Sequence, residues 1–196
     1  MLGRLALWWF RLTGWKIEGG LPPQPKFIAI GAPHTTNWDF VFMLAVMTSF
    51  GAKISFMGKD SLFKGPFGSI IRRSGGIPIR RGVHENVVEQ MANAFAASTS
   101  LILVIAPAGT RHPSDHWKSG FYHIARTARV PIVPARIHYP HKLVTVGPPL
   151  IPGDDPTTDM DVLRRFYAGG KGKYPEQASD VRLVEEGSGR GGAHAT

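Results

Sequence analysis

Cysteine is absent from the 196 residues, which excludes disulfides, thiolate nucleophiles and cysteine-based metal sites and suits a reducing compartment. Acidic residues are sparse, 14 Asp and Glu against 23 Lys and Arg. The resulting formal charge of +9 and isoelectric point near 10.2 draw the chain toward polyanions: nucleic acid, anionic lipid headgroups or phosphorylated substrates. Long basic blocks are also missing, since the cations come as Arg72-Arg73, Arg80-Arg81 and singles. They are not interleaved with aromatic residues as on a single-strand binding face, so nucleic acid is not an expected partner. No Gly-x-Ser-x-Gly, Walker or dinucleotide fingerprint occurs, and no internal repeat is visible.

Nor is there an apolar run of the roughly 20 residues that a membrane-spanning helix requires. The nearest candidate is the opening "MLGRLALWWFRLTGW". Arg4, Arg11 and Lys16 interrupt it, Trp8, Trp9 and Trp15 punctuate it, and no small-residue cleavage site follows, so it reads poorly as a signal peptide. Two readings remain: a core helix packed on the domain, or a helix lying in the membrane interface with tryptophans at headgroup level. The second is preferred. It gives a membrane-interface helix over 1–18, one domain over 19–186, and a Gly/Ser/Ala-rich disordered tail over 187–196.

What is present is a globular composition, 43% hydrophobic and 19% charged, enough for one packed domain. "KFIAIG", "KISFMG", "GGIPI", "LILVIA", "PIVPARI" and "KLVTVG" read as strands. Helices are expected over Trp38–Phe50, near Phe67–Arg73, over His84–Ala97, Gly120–Ala128 and Met160–Tyr167. Their alternation predicts an α/β fold with a mixed, largely parallel central sheet flanked by helices.

Between the first strand and the first domain helix stands "GAPHTTNWDF". A strand, a turn and a helix present side chains at the carboxyl edge of a sheet, where open α/β folds bind ligands. Thr36 or Asn37 could cap that helix, which puts Asp39 in its first turn, at the positive end of the dipole. Across this junction His34 can fold back so that Nδ1–H donates to Asp39 and Nε2 is left as an acceptor, the arrangement of an oriented general base. Equally, His34 could bond backbone at the turn while Asp39 caps the helix; the two residues alone do not decide.

Other segments do. "GKDSLF" with Lys59, "GGIPIRR" with Arg81, "PAGTR" over Pro107–Arg111, "WKSGFYHIA" and "VPIVPA" follow His34-x-x-x-x-Asp39 in an order that resembles the glycerolipid acyltransferase family, which includes the 1-acylglycerol-3-phosphate acyltransferases. The matches extend over roughly residues 15–150.

The resemblance implies acyl transfer from a thioester, acyl-CoA or acyl carrier protein, to a hydroxyl of a lysophospholipid-like or other phosphate-bearing acceptor. His34 is then the base, Asp39 its orienter, and no enzyme nucleophile or cofactor is needed. Lys59, Arg81 and Arg111 map to positions that bind the acceptor phosphate in the family, and Gly109 and Thr110 hold backbone close to it. Activity would be at an anionic membrane surface, peripheral on the cytoplasmic face. Two departures stand out: Arg80 replaces an acidic residue, and Ala108 replaces the family's glutamate at the acceptor site. Ala108 leaves open a different acceptor, impaired activity or an engineered variant, and the alternative function is a catalytically silent lipid-binding protein of the same fold. "RHPSDH" has two histidines at metal-ligand spacing, but Pro113 breaks any helix there, so no metal site is expected.

Overall fold

The computed structural model describes residues 2–65, 67–80 and 86–187. Helix α1 (Leu2–Leu12) leads through a turn at Gly14 into the short strand β1 (Lys16–Glu18). Strand β2 (Lys26–Ala32) and helix α2 (Trp38–Ser49) follow. Then come β3 (Phe56–Lys59), a single 3-10 turn, α3 (Gly68–Arg73) and β4 (Gly76–Ile79). The remainder runs α4 (Val87–Ala97), β5 (Leu101–Ile105), α5 (Gly120–Ala128), β6 (Ile132–His138), β7 (Leu143–Val146) and α6 (Pro156–Tyr167).

Five strands form one sheet in the order β1-β7-β6-β2-β5. Only the β6–β7 pairing is antiparallel. A parallel β3–β4 pair extends this sheet beyond β5 through Ser55, whose N–H donates to Ile102 O at 2.7 Å while Val104 N–H donates to Ser55 O at 2.9 Å. The expected α/β class with a largely parallel sheet is therefore the observed one.

The central strands are apolar without alternation because both faces are covered. Along β2, Phe27 and Ala29 point into a core shared with Phe10 of α1 and Phe42, Ala45 and Val46 of α2. Ile28 and Ile30 point the other way, onto Met91 and Phe95 of α4, Phe121 and Ile124 of α5, and Met160 and Leu163 of α6. Helix starts follow local chemistry. Asn86 and Glu89 form a reciprocal capping box before α4, and Asp155 caps α6 with Pro156 in its first turn, four residues earlier than the sequence periodicity suggests.

Two sequence expectations are revised. The opening helix is shorter than 1–18, and residues 16–18 belong to the sheet, where Lys16–Glu18 pair with Leu143–Thr145. Helix α1 also packs on the domain: Ala6 and Phe10 are buried, and Trp9 stacks on Trp38 and Phe42 with ring centroids 5.0 and 5.7 Å apart. Its outer face nonetheless exposes Leu5, Trp8 and Leu12. Among the described residues no helix is long and apolar enough to cross a membrane. The expected disordered tail lies outside the described residues apart from its first position.

Candidate active site

Because β2 pairs in parallel with both β5 and β6, Ile30 lies beside Ile105 and Ala32 beside Arg136. The segments that leave β2, β5 and β6 therefore meet at one edge of the sheet. His34 stands two residues past β2, and its Nδ1 lies 3.2 Å from Asp39 Oδ2. A hydrogen on Nδ1 would complete a bond to this carboxylate and leave Nε2 as an acceptor.

Asp39 does not cap its own helix in the usual forward sense. Its Oδ2 accepts from the backbone N–H groups of Thr35 at 2.9 Å and Thr36 at 3.0 Å, tying down the loop that carries His34. Its Oδ1 accepts from the Tyr139 hydroxyl at 2.6 Å. Burial first, and the Asp39 carboxylate second, push the Tyr139 phenol well above its ordinary range. Tyr139 is thus a neutral donor at any working pH. Its ring is held edge-on against Trp15 and Phe42, with centroids 5.1 and 5.5 Å away.

Of the two expected caps, Thr36 Oγ1 accepts weakly from Trp38 N–H at 3.4 Å. Asn37 occupies the N-cap position in a helical conformation with no side-chain capping bond. Its Oδ1 instead accepts from Arg111 Nη1, which joins the loop after β5 to the loop after β2.

The other sequence candidates sort by position. Ala108 is buried and faces the same small cavity as His34. Gly109 adopts a positive φ of 65°, and a Cβ there would come within 2.9 Å of the Lys118 side chain. The glycine thus makes room for a lysine. Thr110 turns its hydroxyl to its own loop, accepting from His112 N–H at 3.1 Å. Lys59, at the end of β3, is exposed and lines neither of the cavities described below. Arg81 lies outside the described residues. The structure therefore brings together His34, Asp39, Ala108 and Arg111, and leaves Lys59 apart from them. Among the described residues no cluster of three or more His, Asp or Glu side chains could hold a metal.

Two cavities share His34. One, of about 460 Å³, runs between α2 and the sheet and is lined by Phe40, Met43, Met47, Val104 and Ile137, with Asp39 and Arg136 as its charged groups. That volume falls in the range of about 300–1,000 Å³ usual for ligand pockets. The other, of about 130 Å³, is bounded by Ala108, Trp117, Tyr167, Lys171 and Ser179. Arg136 is held by donation from Nη1 to Phe166 O at 2.6 Å and lies over the Phe166 ring.

Sequence reading missed Tyr139 and the whole segment after α6. That segment folds over the site loops: Tyr174 N–H donates to Thr35 Oγ1 at 3.3 Å, and the Gln177 amide, oriented with its nitrogen toward the two carbonyls it faces, donates to Thr35 O at 3.1 Å and Arg111 O at 3.0 Å. Gly172 sits so close to Thr35 that a Cβ there would meet Oγ1 at 2.7 Å.

Comparison with known proteins adds three findings. The family model described as Acyltransferase matches residues 17–138. A 1-acyl-sn-glycerol-3-phosphate acyltransferase of Streptococcus pneumoniae is 32% identical over 130 residues, 61% of this chain and 48% of that protein, so the chain spans about half the length of this curated relative. The crystal structure of the 1-acyl-sn-glycerophosphate (LPA) acyltransferase PlsC from Thermotoga maritima superposes with a TM-score of 0.59. It covers 84% of this chain and 76% of that one at 18% identity, a likeness of fold.

Proposed function

The chain belongs to the acyltransferase family, and on that premise we propose that it moves a fatty acyl group from a thioester to a hydroxyl of a lysophospholipid-like or other phosphate-bearing acceptor. The observation that carries this reading is the His34–Asp39 contact at the wall shared by an apolar cavity and a small, more polar one. In the reaction, His34 Nε2 takes the acceptor hydroxyl proton as the oxygen attacks the thioester carbonyl carbon. The tetrahedral intermediate collapses with cleavage of the carbon–sulfur bond, and the imidazolium returns the proton to the departing thiol. Asp39 fixes the tautomer and stabilises the transient imidazolium. A chain without cysteine can follow this route, because the acyl group passes directly between substrates.

The apolar cavity suits the fatty acyl chain. Arg111, joined to the His34 loop through Asn37, and Lys171, on the small cavity, are cations available on the acceptor side; Lys59 and Arg81 belong to the acceptor site only by family resemblance. Acyl-CoA or acyl carrier protein supplies the thioester. The outward Leu5, Trp8 and Leu12 of α1, flanked by Arg4 and Arg11, fit a peripheral contact with an anionic membrane on its cytoplasmic face.

Ala108 supports a second reading, a lipid-binding protein without turnover, because among the described residues no carboxylate lines the small cavity. The deciding experiment measures thioester-dependent acylation of a lysophospholipid panel by the chain, by Ala108→Glu, and by Ala108→Glu with His34→Ala. Turnover that rises with Ala108→Glu and vanishes with His34→Ala is the expected result. Equal inactivity of all three, with lysolipid or acyl-CoA still bound, would establish the silent binder.

A further inference from the structure

We propose that Tyr139 is a positioning residue of the acyl-transfer site, anchoring the free oxygen of Asp39 so that the other stays on His34. The inference rests on the general-base reading above but concerns a residue that neither the motif spacing nor the family match over residues 17–138 includes.

Asp39 has two oxygens with unequal duties. Oδ2 serves His34 and two backbone N–H groups, whereas Oδ1 has the Tyr139 hydroxyl at 2.6 Å. The carboxylate side chain is only 11% exposed, and the cavity it borders is mostly apolar. An ionised oxygen there needs a donor, and without one the carboxylate must draw in water or turn. Turning removes Oδ2 from Nδ1, after which His34 is free to carry its hydrogen on Nε2, the nitrogen the reaction needs bare.

Tyr139 is built for this duty. It follows β6 directly, its ring is clamped by Trp15 from the segment after α1 and by Phe42 of α2, and burial keeps the phenol protonated. A phenol at 2.6 Å from a carboxylate is a short charge-assisted bond with one geometry, whereas water could satisfy the oxygen in many. The other ionisable groups facing the pair are Arg136 from β6 and Arg111 through Asn37. Lys171 on the small cavity and Tyr174 beside Tyr139 complete the set among the described residues. None of these donates a hydrogen bond to Asp39 Oδ1.

The test is Tyr139→Phe, which deletes the hydroxyl and keeps the ring in its aromatic box. The first readout needs no turnover: nitrogen-15 shifts of His34 at neutral pH report which ring nitrogen carries hydrogen. The parent chain is expected to show the Nδ1–H form, and Tyr139→Phe a mixture of both tautomers. The second uses the Ala108→Glu background, where Tyr139→Phe is expected to lower kcat about tenfold while KM for the acceptor stays within about twofold. An unchanged Nδ1–H tautomer in Tyr139→Phe overturns the proposal, as does Nε2–H in the parent. A tautomer shift in a protein inactive in every background would keep Tyr139 as the anchor of Asp39 and remove the acyltransfer reading.

Discussion

Asp39 and His34 are expected to matter equally for turnover and very unequally for stability, and the difference can be worked from the hydrogen bonds. In Asp39→Ala, three donors lose their acceptor besides His34: the N–H groups of Thr35 and Thr36 and the Tyr139 hydroxyl. Thr35 is 2% and Thr36 9% exposed, so water reaches these groups poorly. Each buried donor left unsatisfied costs roughly 1–3 kcal/mol. Partial rescue by water from the adjoining cavity and non-additivity among neighbours bring the expected total to about 3–5 kcal/mol. His34→Ala breaks one contact of a side chain 25% exposed, worth about 1 kcal/mol or less. At about 2–4 °C per kcal/mol for a chain of this size, Asp39→Ala should melt on the order of 10 °C below His34→Ala. Asp39→Asn should fall between them, since an amide oxygen can still accept from the loop and the amide nitrogen can donate to Tyr139. Urea denaturation of the three variants, read by tryptophan fluorescence, gives the free energies directly. If Asp39→Ala and His34→Ala unfold at the same midpoint, Asp39 is not the keystone of the loop and the argument fails.

Alkaline titration offers an independent check. The phenols of Tyr122, Tyr139 and Tyr167, three of the four tyrosines, are raised above their ordinary value, in each case chiefly by burial. A group raised in the folded state contributes stability that is complete below its unfolded pKa and is lost as pH climbs. Stability should therefore begin to fall above about pH 10, and most tyrosinate absorbance should appear together with unfolding; absorbance from three or more tyrosines in a still-folded protein would contradict the burial. For α1, changing Leu5, Trp8 and Leu12 to serine should weaken binding to anionic vesicles severalfold with little change in melting, because those side chains are exposed. Unchanged partitioning would make α1 a packing helix only.

The sequence made legible what depends on short spans. A His and an Asp five positions apart across a strand, a turn and a helix can fold onto each other, and in the structure they do. The continuous apolar character of "KFIAIG" and "LILVIA" announced strands covered on both faces, which the two cores on either side of β2 explain. Tyr139 was illegible for the opposite reason: it reaches Asp39 across 100 positions, through the register that sets β6 beside β2, and no local pattern encodes that register. Asn37 looked like a cap because its residue type favours one, yet a tertiary partner, Arg111, claims its oxygen. The segment after α6 reads as a polar connector, since "GGKGKYPEQASD" has no periodicity. It is attached by long-range hydrogen bonds, from Lys171 to the end of β6, from Asp180 to Ser114, and from Tyr174 and Gln177 to the site loops. The three residues of β1 were masked by the apolar helix before them.

The charge arrangement bears on what Ala108 changes. Among the described residues, Asp39 is the one acidic residue lining the larger cavity and none lines the smaller, while Arg136 and Lys171 border them. Asp39 is engaged by four donors, counting His34, so it offers little to an acceptor. Among the described residues, the small cavity proposed for the acceptor has a lysine and no carboxylate to receive hydrogen bonds from a polyol or amine. Under the proposed function, such a site is expected to favour groups that bring their own negative charge. A glutamate at 108 would add an acceptor of hydrogen bonds beside His34 without touching the Asp39 network, which lies on the other side of the imidazole's duties. On the proposed reading, proton transfer and acceptor recognition would reside in separate residues. For that reason Ala108→Glu can alter which hydroxyl is bound while His34→Ala abolishes the proton transfer for every acceptor alike.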